Sequence, residues 1–166
     1  YFGDLMAERL SLKTSKIKHH PNGITTKGIV PVDNVSASPS LGYLARLCSL
    51  KGLDILVDAF IELKDSGKHD DLSLRIAGGM TDEDEPFVEE QRSKLSRAGL
   101  DKYFSISPNI SREEKLEFLK NLTVFSVPAR YPEAFGLYVV EAMLAGAPVV
   151  LPDAGAFPEI IESTKG

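Results

Sequence analysis

EAFGLYVVEAMLAGAPVV, residues 133–150, predicts a helix that is apolar on almost every face and stops at Gly146, where a second apolar run, PVVL, begins. TVFSV (123–127) precedes it and is rich in the β-branched and aromatic residues that favour strands. Strand, helix, strand at this spacing is a parallel crossover. Between 135 and 150 the only ionisable groups are Glu141 and the Tyr138 phenol. A carboxylate in such surroundings is costly unless something hydrogen-bonds or neutralises it. Its partner is either an arginine or lysine elsewhere in the fold, or a ligand.

The same alternation extends towards the N-terminus. LGYLA (41–45) reads as a buried strand, and a helix over 52–63 carries apolar residues at 53, 56, 57, 60 and 63. LSLRIA (72–77) is a strand ending at Gly78 and Gly79, and a charged helix over 84–98 closes at Gly99. KYFSI is a third strand. Ser111, with Glu114 three residues later, marks a capping box opening a helix over 112–122, whose stripe of Leu116, Phe118, Leu119 and Leu122 is core. A last helix follows over 155–162. Before the first strand lie a short helix over 4–10, a strand-like KIKHH and a turn at PNGI, and 21–40 reads as a loop or linker rich in Pro, Ser, Asn and Gly.

Five strands separated by helices predict an α/β fold with a doubly wound parallel sheet. In the common order 3-2-1-4-5, strands one and four are neighbours, and ligands bind in the crevice between their C-terminal ends. The conspicuous polar residues fall there. Arg46 and Lys51 follow strand one, and Glu133 and Glu141 follow strand four.

Composition narrows the function. At 166 residues the chain is long enough for one domain with a real core. A net charge of −5 argues against nucleic acid as a partner, and a single cysteine, Cys48, excludes an internal disulfide and fits a reducing cytoplasm. The N-terminus YFGDLMAERL lacks the pattern of a signal peptide. Gly146, Pro148 and Glu141 interrupt the one membrane-like run, 134–151.

Two cations beside a helix N-terminus suit an anion with several oxygens, such as a diphosphate. Across the crevice, the helix starting near Phe135 and Gly136 presents unpaired backbone N–H groups to the same ligand. Glu141, five residues into that helix, is placed to accept hydrogen bonds from a ribose diol, and Glu133 at the mouth to accept them from whatever the diphosphate carries. No G-x-G-x-x-G follows strand one, which excludes a dehydrogenase reading.

Two glutamates separated by seven residues, followed by A-M-L-A-G-A-P-V-V, carry a resemblance. Together with G-Y-L-A-R-L-C-S-L-K-G-L-D, R-I-A-G-G, D-A-G-A-F-P-E-I-I and the entry segment K-I-K-H-H-P-N-G-I, they make the chain similar to the C-terminal domain of a GT-B glycosyltransferase. That group is large, retaining and metal-independent, and includes glycogen synthases, sucrose synthases and bacterial mannosyltransferases. The resemblance implies a Rossmann-like lobe at 41–166, with 1–40 leading into it, that binds a nucleotide-diphosphate sugar for hexosyl transfer and needs no cofactor. Arg46 and Lys51 would hold the diphosphate and stabilise the leaving nucleotide, and Glu133 would contact the donor sugar. The amides of Phe135, Gly136, Leu137 and Tyr138 would meet sugar and phosphate. Glu141 would take the ribose and Ile110, in the loop 107–111, the base, with Gly78 also lining the donor site. The acceptor, a glycan or lipid of polysaccharide, lipopolysaccharide or glycolipid synthesis, would enter through an N-terminal lobe absent here. The whole enzyme would be cytoplasmic, with peripheral membrane association. The chain stops at ESTKG, before the strand and helices that complete such a domain, and so reads as a truncated piece, inactive alone. The alternative is a non-catalytic nucleotide-binding or regulatory module of the same fold.

Three further features have plainer readings. Asp82 and Asp84 match a metal-binding D-x-D, but they sit where carboxylates simply favour the positive end of a helix. His19 and His20, adjacent on a strand, would point to opposite faces. Cys48 is a passive loop residue.

Overall fold

The computed structural model describes residues 1–20, 22–29 and 38–164. They form α1 (Phe2–Arg9), β1 (Ser40–Leu44), α2 (Leu53–Asp65), β2 (Ser73–Gly78), α3 (Glu85–Arg97), β3 (Phe104–Pro108), α4 (Arg112–Lys120), β4 (Val124–Ser126), α5 (Leu137–Leu144), β5 (Val149–Val150) and α6 (Phe157–Thr164), with 3-10 turns at Thr14–Lys16 and Ser49–Lys51. The strands make one parallel sheet in the order β3-β2-β1-β4-β5. This is the predicted doubly wound arrangement, with its switch point between β1 and β4.

Side-chain alternation along β1 sets the layers. Leu41 and Leu56 of α2 line one apolar hollow, whereas the space above Gly42, on the opposite face, is filled by Leu122 just after α4. Helix α2 packs with α3 on the first face, and α4 with α5 on the second. All five residues of β1 are therefore buried, which is why this strand reads as continuously apolar. Tyr43, Phe60, Leu74, Ile76, Phe125 and Phe157 form the fully buried centre. Of the apolar stripe on α2, Leu53, Leu56, Val57 and Phe60 are buried, but Leu63 is 37% exposed at the rim of the sheet.

Helix α4 opens with the predicted capping box. The Glu114 amide donates to Ser111 Oγ at 3.2 Å, and the Ser111 amide to Glu114 Oε2 at 2.8 Å. Ser111→Ala should lower stability by about 1 kcal/mol. Urea unfolding would show it, and an unchanged midpoint would mean that packing alone holds this helix end.

One expected element is absent. KIKHH is not a strand: Lys16 closes a 3-10 turn, and Ile17 has an extended backbone but no ladder partner among the described residues. Alternation of character is not enough for a strand when no sheet edge lies alongside. The turn expected at PNGI and the linker 21–40 fall partly on residues 21 and 30–37, outside the described residues.

Gly78 ends β2 with φ +148° and lies against β1. A Cβ there would stand 1.7 Å from the Ala45 carbonyl oxygen. The residue expected to line a donor site thus has a packing role in this structure, letting the ends of β1 and β2 close together.

Candidate functional site

The loops leaving β1 and β4 form the two lips of a crevice. The first is held from below, where the Leu47 amide donates to Gly79 O (2.8 Å) and the Tyr43 hydroxyl to Arg46 O (3.0 Å). Arg46 is half exposed and donates through Nε to Asp84 Oδ2 at 3.2 Å. That same oxygen accepts from the Thr81 amide (3.0 Å) and the Thr81 hydroxyl (2.9 Å). The Thr81 amide foremost, with Arg46 and the Thr81 hydroxyl, holds the Asp84 carboxyl below its ordinary range. Asp84 is thus occupied by Thr81 and Arg46 just before α3, and the terminal nitrogens of Arg46 make no bond among the described residues.

Lys51 projects from the Ser49–Lys51 turn to the opposite lip, where Nζ donates to Glu133 Oε2 at 2.5 Å. The two side chains are only 16% and 12% exposed. The ammonium also sits 4.8 Å from the Tyr131 ring centre and 5.4 Å from that of Tyr138. Tyr138, in the first turn of α5, donates its hydroxyl to the same Glu133 oxygen at 2.7 Å. Burial alone would push the Glu133 carboxyl up, but the bonds from Lys51 and Tyr138 and the Ala134 amide outweigh it and hold it below the usual carboxylate range. Burial, and then the neighbouring Glu133, push the Tyr138 phenol up, so it stays a protonated donor.

Behind Glu133, the loop after β5 closes on the chain. The Ala156 amide donates to Glu133 O at 2.9 Å, and Gly155 packs so closely that a Cβ would lie 2.5 Å from Glu133 N and O. Arg130 ties the lips together: its amide donates to Leu50 O, and its guanidinium reaches both oxygens of Asp54 at 2.7 and 2.6 Å. Gly136 precedes α5, which has no side-chain cap, so its first amides remain available at the crevice.

Glu141 is reached from a third side. Lys115 of α4 donates to Glu141 Oε1 at 2.6 Å, and the two side chains are 25% and 17% exposed. The carboxylate whose partner was expected to be the ligand thus pairs with a lysine in this structure. Ile110 is half-buried just before the cap of α4, in a loop joined to β2 through Asn109, whose side chain exchanges two 2.9 Å bonds with the Met80 backbone.

The structure therefore brings Lys51, Glu133 and Tyr138 into one cluster, and joins Arg46 to Asp84 and Glu141 to Lys115 beside it. Sequence reasoning missed Lys115, Arg130, the Tyr138 hydroxyl and the bond from Arg46 to Asp84. Asp84 left a signal in its place before a helix, and the Tyr138 phenol in being one of two ionisable groups in an apolar run.

Residues 32–166 match the family described as glycosyl transferases group 1. The lipopolysaccharide core biosynthesis mannosyltransferase LpsB of Rhizobium meliloti is 31% identical over 84% of this chain and 41% of its own length. The crystal structure of the C-terminal domain of a group 1 glycosyl transferase, LpcC, from Francisella tularensis superposes with a TM-score of 0.71, at 27% identity, over 84% of this chain and 75% of that domain. HepE of Anabaena, solved in complex with UDP-glucose, superposes with a TM-score of 0.65 at 25% identity, over 75% of this chain and 32% of its own. The chain spans roughly a third to two fifths of the length of the curated relatives it matches. With the fold, the crevice and the match over residues 32–166 in agreement, the chain belongs to the group 1 glycosyl transferases.

Proposed function

We propose that residues 41–166 are the donor-binding lobe of an enzyme that transfers a hexosyl group from a nucleotide-diphosphate sugar to an acceptor hydroxyl, with retention and without a metal. The observation that carries this reading is the meeting of Lys51 and Glu133 across the open N-terminus of α5, where β1 and β4 end. The phosphates take Lys51, the free terminal nitrogens of Arg46 and the amides of Phe135, Gly136, Leu137 and Tyr138. Glu133, released from Lys51, turns an oxygen to the sugar hydroxyls. Glu141 accepts from the ribose while Lys115 keeps its other oxygen, and Ile110 lies against the base. As the bond from the anomeric carbon breaks, the diphosphate leaves with the electron pair, the acceptor oxygen bonds that carbon and its proton passes to the departing phosphate. The two cations and the amides stabilise the charge a metal would otherwise meet. HepE, the neighbour solved with UDP-glucose, supports a nucleotide-sugar donor. The name of LpsB, a lipopolysaccharide core biosynthesis mannosyltransferase, supports an acceptor of the lipopolysaccharide kind, which in this proposal binds through another lobe. No described helix is long and apolar enough to cross a membrane. A cytoplasmic setting rests on the single cysteine.

Calorimetry of this chain with UDP, GDP and ADP tests the reading. At least one should bind, and EDTA should not change its affinity, whereas binding lost to EDTA would return Asp82 and Asp84 as ligands. Glu141→Gln should weaken the nucleotide by about 1–2 kcal/mol, while Glu133→Gln spares the nucleotide and removes the increment due to the sugar. If Lys115→Met alone reproduces the Glu141→Gln loss, the ribose assignment fails. No transfer is expected from this chain alone, because positioning an acceptor is worth about 7–11 kcal/mol of barrier. Robust transfer would sink the half-site reading.

A further inference from the structure

Glu133 is gripped from three directions. Its backbone is held by Ala156 and the close approach of Gly155, and its Oε2 accepts from both Lys51 and Tyr138. These two side-chain donors differ in what ligand binding does to them. Lys51 is a cation on a flexible stem, and an arriving diphosphate competes for it directly. Tyr138 is neutral, and its ring is wedged between Phe125, with ring centres 6.2 Å apart, and Phe157 at 6.5 Å. The phenol cannot follow a phosphate, so its bond to Oε2 is the one that survives when Lys51 changes partner.

Resting on the reading of the crevice given above, we propose that Tyr138 is a positioning residue: its hydroxyl keeps the Glu133 carboxylate in the rotamer that presents Oε1 to the donor sugar once Lys51 has gone to the phosphates. Glu133 Oε1 makes no side-chain bond among the described residues, which leaves it the oxygen free to accept from a sugar hydroxyl. The groups facing this carboxylate are Lys51 from the turn after β1, Tyr138 from α5 and the neighbouring Ala134 amide, with Tyr131 beside Lys51 and Tyr43 of β1 beyond Tyr138. None but Tyr138 combines a hydroxyl bond to Glu133 with a ring fixed by the core. Without it, a carboxylate stripped of Lys51 keeps only the adjacent Ala134 amide, too local a hold to fix its rotamer.

Tyr138→Phe isolates the hydroxyl, because the ring keeps its packing and the backbone amide stays in place. In a sample with 13C-labelled glutamate carboxyls, the Glu133 titration should move to higher pH in Tyr138→Phe, with the urea midpoint little changed. An unmoved titration overturns the proposal. In calorimetry with the pairs UDP and UDP-glucose, and GDP and GDP-mannose, the variant should keep nucleotide affinity within about twofold. It should lose the sugar's own increment by roughly three- to tenfold, the range of one hydrogen bond. An equal loss for nucleotide and nucleotide sugar also overturns it, since the ring would then act through the fold. Glu133→Gln separates the role of Glu133 from that of Tyr138. If that change leaves the sugar increment untouched, the assignment of Glu133 to the sugar fails, while the carboxyl titration still decides whether Tyr138 orients it.

Discussion

Replacing Lys51 by alanine should cut the affinity for a nucleoside diphosphate roughly ten- to hundredfold, about 1.5–3 kcal/mol, and leave the affinity for the bare nucleoside unchanged. The side chain supplies a charge-assisted bond to a phosphate and little else to a nucleoside. The same change acts on the empty protein. Lys51 is the cation of a largely buried pair, and its loss leaves the Glu133 carboxylate with Tyr138 and the Ala134 amide. Partial exposure tempers the cost to about 1–2 kcal/mol of stability. Its pH dependence follows from the direction of the Glu133 shift. A carboxyl held below its unfolded value stabilises the fold above that value, near 4.5, and the contribution is lost as the pH falls through the lower, folded one. Lys51→Ala should therefore raise the pH at which acid begins to unfold the protein. Isothermal calorimetry and acid titration followed by circular dichroism read the two effects. Equal weakening of nucleoside and nucleotide would show that Lys51 supports the fold and not the phosphates.

Gly78→Ala should be the most damaging single methyl in the sheet. The new Cβ would meet the Ala45 carbonyl, with oxygen at 1.7 Å and carbon at 2.7 Å. Both are backbone, so no rotamer relieves the clash. The φ of +148° adds strain for any residue with a side chain. Overpacking of this kind costs about 1–3 kcal/mol and a strained backbone about 1–3 more. Together they take a large share of a domain stability of about 5–15 kcal/mol. The neighbouring Gly79 has open space where its Cβ would go, so Gly79→Ala is the matched control and should be close to neutral. Urea midpoints of the two variants decide it. A Gly78→Ala midpoint equal to that of Gly79→Ala would show that β1 and β2 separate at little cost.

The alternation of elements was legible because several helices carry an end signal (Gly99, Gly146 and the cap at Ser111) and because LGYLA is apolar without a break, and the strand order then followed the common doubly wound pattern. KIKHH misled for the opposite reason. Ile17 is extended, but Lys16 belongs to a 3-10 turn, and a strand is defined by a neighbour, which sequence does not show. The same asymmetry governs the site. Arg46, Lys51, Glu133 and Glu141 were visible as polar residues in the connections of a switch point. The carboxylates or cations they meet lie 38, 82 and 26 residues away, and nothing in a linear reading ties Lys115 to Glu141 or Asp84 to Arg46. Tyr138 was counted among the crevice residues for its amide. Its hydroxyl gained a purpose only when the loop before α5 folded Glu133 back onto it.

The pairing of Arg46 with Asp84, Lys51 with Glu133 and Lys115 with Glu141 bears on the speed of encounter. Each of these three positive groups is matched by a negative one within hydrogen-bond reach, so together they project almost no monopole, on a chain whose overall charge is −5. A polyanionic ligand is then not drawn in from a distance, as it would be by a bare cluster of lysines and arginines. Its arrival rate should vary little with ionic strength. Selection for the diphosphate comes after contact, in the exchange of partners, and is expressed in how slowly the ligand leaves.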